Sequence, residues 1–224
     1  MGSPAWSFSG IKAFESCPKK FYHLKVAKDY SEPPTDATSY GTDFHLAAEL
    51  YVRDGTPLPA HFNFALPVLD KLKNFEGDKL CEYEMGLTEN LQACGFKDSN
   101  VWWRGIADLV IVNRDTCRAK VVDYKTGRNA KYADKGQLEL MALAVFIHFP
   151  IIEQVDAGLL FVVSNDFIKA KYTKDDIPAL WEKWIKAYNQ MRMSYTNDVW
   201  NPRPSGLCRK HCVVLDCAHN GRNS

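Results

Sequence analysis

Long hydrophobic runs are missing from this sequence. No apolar stretch approaches the roughly 20 residues that a membrane-crossing helix needs. An excess of one charge sign is missing too: 28 Lys and Arg against 27 Asp and Glu leave a formal net charge of +1. That excludes a strongly basic nucleic-acid coat but not a locally basic surface. The opening Met1-Gly2-Ser3-Pro4-Ala5-Trp6-Ser7 has neither a basic region nor an apolar stretch. No secretory signal or transit peptide is expected there. Internal repeats, heptads and low-complexity segments are also lacking. A cytoplasmic protein with no membrane span is expected, and disulfides are not expected in that compartment.

What remains is an ordinary globular composition, 46% apolar and 25% charged. The 224 residues exceed one small domain and fall short of two average ones, which predicts one domain with appendages. A core of that size needs no metal or disulfide simply to fold. Charge is uneven along the chain. Residues 12–28 carry five Lys and one Glu, and residues 118–135 carry six Lys/Arg and two Asp. Residues 76–90 between them carry five Asp/Glu and one Lys. This pattern fits a cationic rim around an acidic site, and equally a set of solvated faces. Of seven cysteines, Cys81, Cys94 and Cys117 are scattered and read as small buried hydrophobes. Cys17, Cys208, Cys212 and Cys217 stand apart by position.

Hydrophobic periodicity predicts helices over 9–24, with Pro18 kinking or splitting the first, then 41–53 and 61–75. Residues 31–40 read as a loop and 54–60 as a turn. The period then shortens, and strands are expected over 80–88, 101–113 and 118–126. A helix over 134–149, strands over 155–164 and 167–172, and a long helix over 175–195 complete the pattern. The tail, 197–224, has little periodicity and must be held by something else. The expected class is α/β or α+β, a mixed sheet flanked by helices.

Chemistry concentrates in Arg104-Gly105-Ile106-Ala107-Asp108 and Val122-Asp123-Tyr124-Lys125-Thr126-Gly127. A hairpin with a four-residue loop would pair 113 with 118 and bring Asp108 opposite Asp123. Side chains alternate along a strand, so Lys125 shares the face of Asp123 while Tyr124 points away. Like charges facing each other across a ladder are destabilising. A shared proton would relieve them, and so would a divalent cation. With a nearby lysine to orient water or stabilise phosphate charge, the second arrangement suits phosphodiester hydrolysis. An exposed strand pair with a surface salt bridge is the plain alternative.

These residues resemble the PD-(D/E)XK nuclease superfamily. More narrowly they resemble its RecB-type exonuclease branch, which includes helicase-associated nuclease domains, CRISPR-associated adaptation nucleases and phage recombination exonucleases. Other motifs follow in the family's order. Gly41-Thr42-Asp43-Phe44-His45 resembles its Gly-x-x-x-His motif, and Gln137-Leu138-Glu139-Leu140-Met141 its Gln-x-x-x-Tyr motif. The segment Ser7-Phe8-Ser9 to Cys17-Pro18 and Phe21 resembles its opening. The resemblance spans about residues 7 to 219.

It implies a restriction-endonuclease-like fold with a central mixed sheet. It also implies a Mg²⁺- or Mn²⁺-dependent deoxyribonuclease, an exonuclease on DNA ends or single strands in recombination, repair or phage DNA metabolism. The metal ligands would be Asp108, Asp123, His45 and the carbonyl of Tyr124, with Lys125 activating water or polarising phosphate. Gln137, with Arg128 and Lys131 of the basic stretch, would contact DNA. Glu49 and Glu84 are further acids to consider, and both also read as surface residues. Met141 departs from the family's tyrosine; Trp102 and Trp103 could supply stacking instead, and also read as one core and one edge residue.

Cys17, Cys208, Cys212 and Cys217 resemble the four cysteines of an iron–sulfur subset of this branch. There a cluster ties the N-terminal helix, here 7–24, to the C-terminal tail, here 197–224. The spacing Cys-x3-Cys-x4-Cys moves the middle ligand by one and leaves His211 at its usual place, so zinc and no metal remain alternatives. A catalytically silent module binding DNA ends or a partner, and a spacer-processing nuclease with CRISPR or recombination partners, are the other readings. Oligomeric state is open.

Overall fold

In the computed structural model, residues 4–127, 130 and 133–222 are described. The chain divides into two compact units, Thr35–Trp181 and the pair of segments that flank it, up to Pro34 and from Glu182 onward.

The central unit opens with α3 (Asp36–Asp54), following α1 (Phe8–Ser16) and α2 (Pro18–Phe21) of the other unit. The helix starts five residues earlier than periodicity predicts. Thr35 caps it: its hydroxyl accepts from the Thr38 N–H, and its own N–H donates to Thr38 Oγ1 at 2.9 Å. This reciprocal cap satisfies orphan donors inside a segment read as loop. Gly55, at φ 75°, ends the helix in the left-handed conformation that glycine adopts without strain. A 3-10 turn (Ala60–Ala65) leads into α4 (Leu66–Asn74).

Six strands follow: β1 (Asp78–Leu87), β2 (Ala93–Cys94), β3 (Trp103–Asn113), β4 (Arg118–Lys125), β5 (Gln154–Phe161) and β6 (Asp166–Thr173). Their order is β2-β1-β3-β4-β5-β6, antiparallel throughout except for the parallel pair β4–β5. A parallel pair needs a crossover, supplied by α5 (Gly136–His148). This is the mixed, helix-flanked sheet that the sequence predicts; only the short β2 was not foreseen. One face packs Leu109, Ile111, Val122 and Tyr124 against Phe44, Ala48 and Val52 of α3 and Leu69 and Leu72 of α4. α5 is apolar nearly all round and buried at Leu138 and from Leu140 to Phe146, as such a helix must be.

In the other unit Pro18 takes the first position of α2, where its missing N–H costs nothing, and a π-helical turn (Tyr22–Ala27) follows. α6 (Ile177–Asn197) carries Trp184, Tyr188 and Met191 into its core. Trp6 stacks on Tyr188 at 5.7 Å between ring centroids, and Trp200 packs against Tyr195 at 4.9 Å. No helix among the described residues is long and apolar enough to cross a membrane.

Candidate active site

The β3–β4 hairpin closes with Asn113 opposite Arg118, and its ladder runs inward to Leu109 opposite Val122. This is the register expected from the sequence. Pairing stops there. β3 continues beside β1 to Trp103, and β4 continues beside β5 to Lys125. Asp108 and Asp123 are therefore the first residue on each strand past the last rung, where the sheet forks. Instead of continuing the ladder, the Tyr124 N–H donates to Asp108 Oδ2 at 2.6 Å.

A third carboxylate shares this row. In the β1–β3 ladder, Cys81 pairs with Leu109 and Tyr83 with Ala107, so Glu82 occupies the rung facing Asp108. The ladder skips this rung, and Glu82 sits at φ 47°, in the left-handed region. Such a conformation costs a non-glycine residue on the order of 1–3 kcal/mol and collects at functional sites. Glu82, Asp108 and Asp123 thus cross β1, β3 and β4 as one row of acids.

His45 reaches the row from α3. Its Nδ1 lies 3.2 Å from Asp108 Oδ1, and its Nε2 donates to the Tyr124 carbonyl at 3.1 Å. Gly41, one turn earlier, explains the Gly-x-x-x-His spacing. A Cβ there would come within 3.3 Å of Thr126 Oγ1, so the glycine lets α3 approach the loop after β4. Ligand atoms of His45, Glu82 and Asp108 lie within 4.8 Å of one another, the only such group among the described residues. An open cleft of about 630 Å³ runs past them, lined also by Thr38, Leu46, Glu49 and Thr126.

Asp123 turns toward its own strand and α5. Lys125 Nζ is 2.5 Å from Asp123 Oδ2 and donates to Gln137 Oε1 at 3.0 Å. The Gln137 amide donates in turn to Asp123 Oδ1. The Lys125 contact is ionic rather than well aligned, which leaves Asp123 Oδ2 buried without a directed donor. Only 8% of Asp108 and 5% of Asp123 is exposed.

Burial with charge crowding dominates the electrostatics. Burial raises Glu82 to about 7, and the Asp108 carboxylate adds to it. Burial and then Asp108 raise Asp123, against the pull of Lys125. For His45 burial acts downward, but the hydrogen bond and charge of Asp108, with Asp123 and Glu82 behind it, leave the ring raised. The acids thus repel one another in a place that hydrates them poorly. That donor set, with an unaligned carboxylate oxygen beside it, fits a hard divalent cation, which would neutralise the crowding.

The remaining expectations fall out as follows. Gln137 lies on the Asp123–Lys125 pair. Glu84 is exposed, so the extra acid on β1 is Glu82 instead. No tight turn joins β1 to β3, and nothing in the sequence sets their register. Glu49 lines the cleft and is paired with Arg53. Trp103 is fully buried and cannot stack on a base, and Trp102 packs on Trp181 at 5.1 Å between ring centroids. Met141 is buried in α5, so its position belongs to the core. Arg128 and Lys131 lie outside the described residues.

Cys17, Cys208, Cys212 and Cys217 line one small cleft, together with Lys19, Lys20, Arg203 and His219. Cys17 Sγ accepts the Arg203 N–H and Cys208 Sγ the Ser205 N–H, each at 3.4 Å. His211 is exposed and does not line the cleft, whereas Cys212 does.

Comparison with known proteins adds three findings. The model of the PD-(D/E)XK nuclease superfamily matches residues 5–73 and 62–217. The crystal structure of a "putative exonuclease" from Eubacterium rectale aligns with 91% of this chain and 85% of its own, at 12% identity and a TM-score of 0.51. The crystal structure of SSO0001 aligns with 98% of this chain and 89% of its own, at 17% identity and a TM-score of 0.45. No curated protein matches the chain.

Proposed function

Because this chain belongs to the PD-(D/E)XK nuclease superfamily, we propose that it is a divalent-metal-dependent deoxyribonuclease acting as an exonuclease on DNA ends or single strands. The observation that carries this reading is the row of Glu82, Asp108 and Asp123 across three strands, with His45 above it and Lys125 beside it. His45, Glu82 and Asp108 would hold Mg²⁺ or Mn²⁺, with Asp123 contributing from the neighbouring strand. The bound ion would supply Lewis-acid polarisation of the phosphodiester and a more acidic water.

The chain's own residues do the rest. Gln137 fixes both Asp123 and Lys125, and so points the ammonium along the row of acids. Lys125 is placed to orient the attacking water and to offset charge developing on the phosphate oxygens. His45 ties α3 to the Tyr124 carbonyl and Asp108, keeping the fork in shape. At near-neutral net charge, DNA affinity rests on local lysines and weakens with salt.

The cysteine cleft is proposed to hold an iron–sulfur cluster. Cys17 and the three tail cysteines line that one cleft, four thiolates being the number such a cluster takes. The N–H groups of Arg203 and Ser205 would stabilise the electron-rich sulfurs.

Digestion of 5′- and 3′-labelled oligonucleotides with Mg²⁺, Mn²⁺ or chelator tests the main reading. Stepwise products that need the ion and vanish in Asp123→Ala are expected. Absence of cleavage with either ion, or equal cleavage by Asp123→Ala, overturns it.

A further inference from the structure

Away from the fork, the face of the sheet that carries α4 is left open between that helix and the edge strand β6. A groove of about 500 Å³ lies there. Its floor is built in register: Lys120 pairs with Asp156 and Asp156 with Lys171 across β4, β5 and β6, and Gly158 faces Lys169 one step further. Phe75 and Phe167 form its apolar walls.

We propose that this groove binds single-stranded DNA outside the catalytic fork, Phe75 and Phe167 stacking on bases and Lys169 and Lys171 holding phosphates. The proposal rests on the nuclease reading above and adds a substrate-gripping surface to it.

Three observations support it. First, the rings are exposed where a protein would ordinarily hide them, 41% for Phe75 and 42% for Phe167. Lysines alone suffice to protect an edge strand from unwanted pairing, and two exposed phenylalanines do not serve that end.

Second, the platform is fixed. The Phe167 ring lies so closely over Gly158 that a Cβ there would come within 2.0 Å of Cε2. Each ring also has an ammonium on it, Lys120 at 4.6 Å from Phe75 and Lys169 at 5.0 Å from Phe167.

Third, the charge matches. Asp156 is engaged by Lys120 at 3.7 Å, which leaves Lys169 and Lys171 in excess. This local excess of two positive charges stands in a chain whose whole formal charge is +1. Aromatic platforms flanked by cations form the sequence-tolerant grip of single-strand binders. Lys120 precedes Asp123 by three residues on β4, about 10 Å along the strand and on its other face, so a mononucleotide ester at the fork does not reach the groove.

The test uses fluorescence anisotropy of a labelled oligothymidylate in chelator, which prevents cleavage. Lys169→Ala/Lys171→Ala should lower the slope of log affinity against log salt by about 1.4, the loss of two single-strand phosphate contacts. Phe75→Ala and Phe167→Ala should each weaken binding by about tenfold at constant salt slope. Hydrolysis of bis(p-nitrophenyl) phosphate with Mn²⁺ should stay at wild-type level in all of them, which also certifies their folding.

Unchanged affinity and slope in variants that retain that hydrolysis overturn the groove and leave the nuclease reading standing. Wild-type protein that binds through the groove but hydrolyses neither DNA nor the small ester supports the groove and removes the nuclease reading. Displacement of the oligonucleotide by poly-glutamate as readily as by unlabelled oligothymidylate overturns the proposal in favour of a protein-facing surface.

Discussion

The fork of the sheet and the cysteine-lined cleft assemble reactive groups by opposite means. At the fork, three acids are held together against their own repulsion by the sheet around them. Leu109, Ile111, Val122 and Tyr124 beside them are at most 2% exposed. In the tail, only Val214, Cys217 and Asn220 are buried among the described residues after Asn197. Order there comes from polar ties: the Asn220 amide donates to the carbonyls of Cys212 and Val214, and the Gly221 N–H to that of Cys208. One region spends stability to build a site, and the other, on the proposed reading, gains stability from a bound group. Removing a functional side chain should therefore leave the fork as stable as before or more so, and should loosen the tail.

The largest effect sharpens the first half of this contrast. Asp108→Asn keeps an oxygen for the Tyr124 N–H but removes the charge. DNA cleavage should fall by about a thousandfold or more while thermal stability in chelator holds or rises. A variant that melts well below wild type would show that the acid supports the fold, and the contrast would fail.

Next in size is Gln137→Ala. Its side chain bridges Asp123 and Lys125. Supporting groups of this kind are worth about 10–100-fold in activity or metal affinity. The drop should lie in turnover, with affinity for the oligonucleotide in chelator little changed. A loss confined to DNA affinity would return Gln137 to the substrate-contacting role expected from sequence.

Local rules made one part of the fork legible before any coordinates. A four-residue hairpin sets the β3–β4 register, and Asp108, Asp123 and Lys125 follow from it. Glu82 was hidden for a physical reason. Between β1 and β3 lie 15 residues, including the short β2, so no turn fixes the register, and the left-handed φ at Glu82 has no sequence signature. The early start of α3 was legible in principle, since Thr35 and Thr38 form a reciprocal cap, but the prolines before it drew the boundary too late. Trp103 and Met141 show the converse. A motif position or an aromatic pair suggests a DNA contact, and tertiary burial decides otherwise.

The tail supplies a smaller effect. Cys212→Ser should remove the visible absorbance of protein purified without oxygen. Limited proteolysis after Asn197 should also accelerate by about tenfold, since a bound group that stabilises the folded tail no longer does so. Colourless wild-type protein with the same proteolysis rate would show that the thiols merely pack, and the two regions would then differ less than proposed.

The smallest effect is the sharpest test of the fork's internal cost. Glu82 is half-buried, faces Asp108 and carries a left-handed backbone. Its carboxylate is raised to about 7, so its ionised form is disfavoured by the fold. At a pH above that value Glu82→Gln removes the repulsion and keeps the shape. After allowing for solvent screening, the melting temperature in chelator should rise by about 2–4 °C, the equivalent of ~1 kcal/mol in a chain of this size. Glu82→Gly should rise further, because glycine also adopts φ near 47° without strain. The extra stabilisation by Mn²⁺ seen in wild type should shrink in both, as a ligand is lost. A lower melting temperature for Glu82→Gln in chelator would mean that the row of acids carries no penalty, and the fork would then be held together by its charges rather than in spite of them.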